Sequence, residues 1–130
     1  MKAWLINPAE IWKGGSPFEE IEFHGNYKQI QQVIGCRVFD VVRLDNGDGI
    51  YVDDEGLYSG AADRDGWMVI NGHLLAGRGV VLGSDEEGNS MSPYLDRAWL
   101  EKNVRLSDGW MVVDHTGKLE CMFAQLLPSP

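Results

Sequence analysis

Two arginines and two tryptophans are the side chains of this 130-residue sequence best suited to recognising another molecule. Arg64 stands in a small, polar stretch, Ala61-Ala62-Asp63-Arg64-Asp65-Gly66, and Arg78 stands between glycines in Ala76-Gly77-Arg78-Gly79. Small neighbours let a planar guanidinium approach a carboxylate or phosphate and hold it at two points. A glycine-rich anion nest ordinarily opens a helix, whereas Arg78 precedes a strand-like run. The alternative use of both arginines is pairing with nearby aspartates. Trp67 and Trp110 lie in identical pentapeptides, Asp65-Gly66-Trp67-Met68-Val69 and Asp108-Gly109-Trp110-Met111-Val112, with a weaker copy at Asp48-Gly49-Ile50-Tyr51-Val52. Aspartate-glycine turns feeding aromatic strands recur for backbone reasons alone. Two exposed tryptophans would instead form a recognition patch, and burial separates these readings.

Metal and catalytic signals are weaker. Asn46, Asp48, Gly49 and Glu55 follow most of the spacing of a calcium loop with its late glutamate, which makes Asp48 and Glu55 the candidate ligands. Leu44 occupies the first ligand position and the flanks are strand-like, so a hairpin turn is expected, with no metal or other cofactor. The acidic runs Asp53-Asp54-Glu55 and Asp85-Glu86-Glu87 would hold a divalent ion or attract a basic partner only if adjacent in space. His24, His73 and His115 show neither HExxH nor HxH spacing. Neither GxSxG nor a Cys-His or Ser-His arrangement is signalled, so an enzyme is not expected. Cys36 and Cys121 are far apart, without CxxC, and read as reduced thiols.

The formal net charge of −9 opposes direct nucleic-acid binding, which needs a basic face. An acidic surface suits solubility, a basic partner protein or imitation of DNA. With 44% hydrophobic residues and five tryptophans, the length suits one domain that buries roughly two-thirds of its unfolded surface. The apolar run at the start is too short for a signal sequence. No run approaches the roughly 18 apolar residues that a membrane helix requires. A cytoplasmic protein without membrane contact is expected.

The elements that position these side chains are mostly strands. Residues 3–6 and 18–23 read as an N-terminal hairpin, with 10–17 ambiguous between them. Asn26 as cap, an apolar stripe of Tyr27, Ile30, Val33 and Ile34, and Gly35 as C-terminal cap predict a helix over 26–34. Residues 36–44 read as a buried strand, returning at 50–53 through an Asn-Gly/Asp-Gly turn. Residues 59–66 read as a loop, and 67–70 and 79–82 as strands. Ser92 with Pro93 predicts a second helix over 93–103 whose inner face is Leu95, Ala98 and Trp99. Residues 104–124 read as a C-terminal hairpin with strands at 110–114 and 119–124, and 126–130 are expected to fray.

Four stretches in order, Tyr27–Gly35, Val38–Val42, Tyr51–Leu57 and Leu74–Gly83, carry a resemblance. A helix ending in glycine, a strand pair, a Glu-Gly turn, a loop, a Gly-x-hydrophobic strand and an acidic turn are similar to a small family of phages, prophages and mobile elements, domain of unknown function 3846. The resemblance covers about 26–104. The family has Asn-Arg where this chain has Asp63-Arg64, and the hairpin from Val104 looks like an addition. The resemblance implies no activity, only a phage or mobile-element context, hence a host-cell cytoplasm.

The expectation is one α+β domain over 1–130: a mainly antiparallel twisted sheet with one or two helices on one face, an N-terminal hairpin (1–25), a family-like core (26–104) and a C-terminal β-hairpin (104–124). Tyr27, Ile30, Val33, Ile34, Val38, Val41, Ile50, Val52, Val81 and Trp99 are the expected core. The expected function is binding: inhibition of a host protein, or sequestration of a small anionic, nucleotide-like ligand in antiviral defence, with Arg64, Arg78, Trp67 and Trp110 as ligand-binding candidates. A DNA-mimic antirestriction protein and an enzyme with an unrecognised site are the alternatives. An edge strand in the C-terminal hairpin allows a homodimer.

Overall fold

The segment Gly79–Ser84 (β7) puts Val80 and Leu82 on one face and Val81 on the other, and all three are buried. A strand apolar on both sides must be covered twice, and the fold is arranged around that requirement. The computed structural model describes residues 1–126, so the expectation for 127–130 lies outside the described residues. β7 is the middle strand of a first sheet, which also contains β1 (Lys2–Ile6), β2 (Phe18–Glu22), β3 (Phe39–Arg43) and β4 (Gly49–Asp53) in the order β2-β1-β7-β4-β3. The two-residue strand β8 (Ser90–Met91) folds back on the end of β7. A second sheet has the order β11-β10-β9-β5-β6, from β5 (Trp67–Ile70), β6 (His73–Ala76), β9 (Val104–Ser107), β10 (Met111–Val113) and β11 (Leu119–Met122). Every pairing is antiparallel.

The helix α1 (Tyr27–Ile34) covers one face of the first sheet. Asn26 caps it by accepting from the Lys28 N–H, and Gly35 ends it in the left-handed conformation. Ile30 and Ile34 pack with Ala3, Phe23, Val80 and Leu82. The opposite face meets the second sheet: Trp4, Ile6, Ile50, Val52 and Val81 pack against Met68, Ile70, Val104 and Leu106. The helix α3 (Arg97–Asn103) contributes Leu100 to this inter-sheet core. The α+β reading therefore holds, with the strands divided between two facing sheets and the two longer helices serving different core layers.

Several boundaries differ from expectation. The second helix begins at Arg97, capped by Asp96, rather than at 93. The N–H groups of Tyr94 and Leu95 donate instead to the buried Asp48 carboxylate, which holds 93–95 out of the helix. Ser92 is no cap: its hydroxyl accepts from the Lys2 N–H. Ala98 is exposed, and Trp99 and Leu100 make the inner face. Residues expected to be a loop form the short helix α2 (Ala61–Asp65), and the ambiguous stretch after Asn7 forms a 3₁₀ helix, Pro8–Lys13. Tyr27 and Val38 are 46% and 44% exposed, because the first lies at the start of α1 and the second just outside β3, an edge strand. β3 itself, expected to be buried, is only partly covered, and Val41 is half-buried.

The two identical pentapeptides show how packing overrides local sequence. In β5, Met68 faces the inter-sheet core and is 0% exposed, whereas Met111 in β10 is 36% exposed and Val112 is buried in its place. The register of β10 against β11 shifts between Val112 and Val113, so Val113 also reaches the core. Met68→Ala is expected to lower stability by about 2–5 kcal/mol and Met111→Ala by roughly 1 kcal/mol or less. Urea unfolding of the two variants measures the difference.

The turn that closes β10 and β11 depends on Asp114. One carboxylate oxygen accepts from the Thr116 hydroxyl, the Thr116 N–H and the Lys118 N–H. These bonds, led by the hydroxyl, pull its pKa down to about 2. The folded value lies below the usual ~3.9 of an aspartate, so its stabilising contribution is complete above about pH 4 and disappears as pH falls through 2. A carboxyl titration by NMR is expected to place the Asp114 midpoint near 2, with the Thr116 and Lys118 amides moving at the same pH.

Candidate functional site

Arg64 and Arg78 converge, and what they converge on is Asp65. This carboxylate is 2% exposed. Arg64 Nε donates to its Oδ2 at 2.6 Å, and Arg78 Nε lies 3.2 Å from its Oδ1 as an ion pair without an aligned hydrogen bond. Three of the four remaining guanidinium nitrogens reach the end of α1. Arg78 Nη1 donates to the Val33 carbonyl (3.2 Å), Arg64 Nη2 to that of Ile34 (3.1 Å) and Arg64 Nη1 to that of Gly35 (3.4 Å). The last carbonyls of a helix lack internal partners and carry its negative dipole end, so two cations there are stabilising. A Cβ on Gly35 would lie 3.2–3.3 Å from the Arg64 guanidinium, so glycine serves both the left-handed turn and the arginine's approach.

The pair therefore works mainly for the fold, as pairing with aspartates implied. α2 places Arg64 and Asp65 side by side, and the turn between β6 and β7 places Arg78. Gly66, at φ 81°, then passes so close to β9 that a Cβ would stand 2.6 Å from the Ser107 carbonyl oxygen.

The tryptophans do not form a pair. Trp67 is half-buried, with its ring 5.5 Å from that of Phe123, while Trp110 is 76% exposed. The metal candidates separate as well. Asp48 spends both oxygens on Asn46, Tyr94 and Leu95, and Glu55 forms a two-point pair with Arg37 at 2.8 and 3.2 Å. The acidic turns 53–55 and 85–87 follow the ends of β4 and β7, which are antiparallel neighbours. They consequently lie at opposite ends of the first sheet, roughly 20 Å apart for a six-residue strand. Among the described residues no three His, Cys, Asp or Glu side chains are gathered to hold a metal. Both cysteines are free, and burial, with Asp53 adding to it, pushes the Cys36 thiol up and away from reactivity.

One concavity does combine an arginine with a tryptophan, though not the expected one. A pocket of about 270 Å³ is lined by Ala9, Trp12 and Lys13 of the 3₁₀ helix, by Ala62, Asp63, Arg64 and Gly66 around α2, and by Asp108. Arg64 is the sole member of the expected set that reaches it; Arg78, Trp67 and Trp110 do not line it. Trp12, Lys13, Asp63 and Asp108 escaped sequence reasoning because they come from three segments joined only by folding. The one local signal was the Asn7-Pro8 start, which opens a capped helical turn and so sets Trp12 and Lys13 side by side on it.

A family model described as Domain of unknown function (DUF3846) matches residues 6–103. The chain belongs to this family. The match begins well before residue 26 and so takes in the 3₁₀ helix and β2 with α1 to α3, which places most of the pocket lining inside the DUF3846 region. It ends one residue before β9, yet Val104 and Leu106 of β9 are completely buried between β5 and β10. No curated protein and no solved structure matches the chain. No helix among the described residues is long and apolar enough to cross a membrane.

Asp65→Ala would leave two guanidinium groups without their shared carboxylate and is expected to cost about 3 kcal/mol. Arg64→Ala, at a half-exposed side chain, is expected to cost about 1 kcal/mol. In both variants the amides of Gly35 and Cys36, which bond the Gln31 carbonyl, should exchange faster with solvent deuterium. Unchanged exchange there would show that the arginines do not hold the end of α1.

Proposed function

We propose that this protein is a small accessory protein of phage or mobile-element type that acts by binding, and that the pocket between the 3₁₀ helix and α2 takes a small anionic ligand. The observation that carries this reading is the convergence of Trp12, Lys13 and Arg64 on one concavity in a chain whose net charge is −9. An exposed indole beside two cations is a suitable surface for a ligand with a flat face and a negative group. Binding is favoured over acid–base catalysis because the buried carboxylates Asp48, Asp53 and Asp65 are each engaged by donors of the fold. The context follows from the family resemblance, and the host cytoplasm is the compartment it suits.

A second reading, inhibition of a host protein, draws on a different surface. Trp110, Leu119 and Met122 are each exposed on or beside the β10–β11 hairpin, and β11 is an edge strand that can pair with a partner or with a second copy of the chain. Imitation of DNA ranks behind both, since its acidic turns lie at opposite ends of a sheet rather than along one stripe.

A thermal-shift panel of inorganic phosphate, small carboxylates and nucleoside monophosphates tests the first reading. At least one anion is expected to raise the melting temperature by several degrees, and Lys13→Ala is expected to abolish the rise. A panel without any shift, beside a host protein captured by the intact chain and lost on Trp110→Ala, would replace it with the second.

A further inference from the structure

We propose that the ligand of this pocket is a mononucleotide whose base carries an exocyclic amino group, an inference that rests on the binding reading above and narrows it. The lining has three chemical parts. Trp12 with Ala9, Ala62 and Gly66 supplies apolar surface, and an indole is the side chain best suited to stacking against a planar ring. Lys13 and Arg64 supply cations. Lys13 is held only by a 3.7 Å contact to Glu10, and Arg64 has spent three of a guanidinium's five N–H donors on Asp65, Gly35 and Ile34. Two donors of Arg64 and the ammonium of Lys13 are left for a phosphate.

The third part separates a nucleotide from a simple anion. Asp63 and Asp108 also line the pocket, so its formal charges cancel. Among the described residues Asp63 accepts no side-chain hydrogen bond, and Asp108 uses one oxygen only, for the Trp110 and Met111 amides. Carboxylate oxygens beside two cations weaken the pull on a bare anion and accept hydrogen bonds from an amino group. A ligand that satisfies the whole lining carries a flat ring, N–H donors and one phosphate. The concavity, about 270 Å³, falls just below the roughly 300 Å³ at which small-molecule clefts begin and is open to solvent, so it takes one base and one phosphate against its lining without limiting what extends beyond.

Cytidine and uridine monophosphates are the deciding probes, because they match in size and differ only on one edge of the base, where cytosine has a 4-amino group and an acceptor N3 and uracil a 4-oxo group and a single N3–H. Calorimetric titration of the full chain is expected to give cytidine monophosphate roughly tenfold tighter binding than either uridine monophosphate or inorganic phosphate. The Trp12 indole N–H resonance, assigned from Trp12→Leu, should shift on addition. Trp12→Leu should weaken cytidine monophosphate roughly tenfold and leave phosphate binding unchanged. Lys13→Ala, at an exposed side chain, should weaken every phosphate-bearing probe alike. Equal affinity for the two nucleotides would overturn the amino-group assignment, and phosphate binding as tightly as both would overturn the ring. Lys13-dependent binding of some other anion, without either nucleotide, would sink this inference and leave the function above standing. Binding of none of the anions would sink both.

Discussion

A single buried carboxylate ties three parts of this fold together. Asp65 sits at the end of α2, holds Arg64 beside it and attracts Arg78 from the turn before β7. Through those arginines it reaches the last carbonyls of α1. An aspartate this buried persists only with donors or cations around it, and the last carbonyls of a helix need partners from outside the helix. Each requirement answers the other. The position of α1 against the first sheet, and the placement of Arg64 at the rim of the pocket, both follow from that arrangement.

The same economy recurs at the other buried aspartates. Asp48 binds the amides of Tyr94 and Leu95 and so fixes the approach to α3. Asp53 accepts from the Glu55 N–H and the Ser59 hydroxyl and so shapes the loop before α2. Loops this long are held by polar contacts because their backbone must find partners whenever it leaves the sheets. The chain's acidity is therefore of two kinds: a few carboxylates built into the interior as anchors, and a larger number solvated in turns and on the edge strand β2. Glu19, Glu20 and Glu22 on that edge also discourage pairing with another chain.

The layered core explains why residues beyond the family match still belong to the body. β7 needs α1 on one side and the second sheet on the other, and β9 runs through the middle of that second sheet. Arg97 strengthens the connection between the layers. Its guanidinium stacks 5.1 Å from the Trp4 ring centroid and donates to the Phe18 carbonyl, so α3 is fastened to the edge of the first sheet.

The amino-acid order by itself determined the elements whose cause is local. α1 is legible because Asn26, the apolar stripe and Gly35 act within one stretch, and the hairpins β1–β2, β3–β4 and β10–β11 are legible because turn chemistry and alternation do too. By contrast β6, which returns directly from the Asn71-Gly72 turn, was not expected as a strand. Membership of the family is legible for the same reason, since the order of these stretches is a property of the sequence. Tertiary structure alone decided which face each strand presents, as the two Asp-Gly-Trp-Met-Val copies demonstrate by burying different residues. It also decided where α3 begins, because the competing partner for its first amides is Asp48, some 46 residues earlier. The pocket was hidden for the same physical reason: Trp12, Arg64 and Asp108 become neighbours only once long-range packing has brought three separate segments to one place.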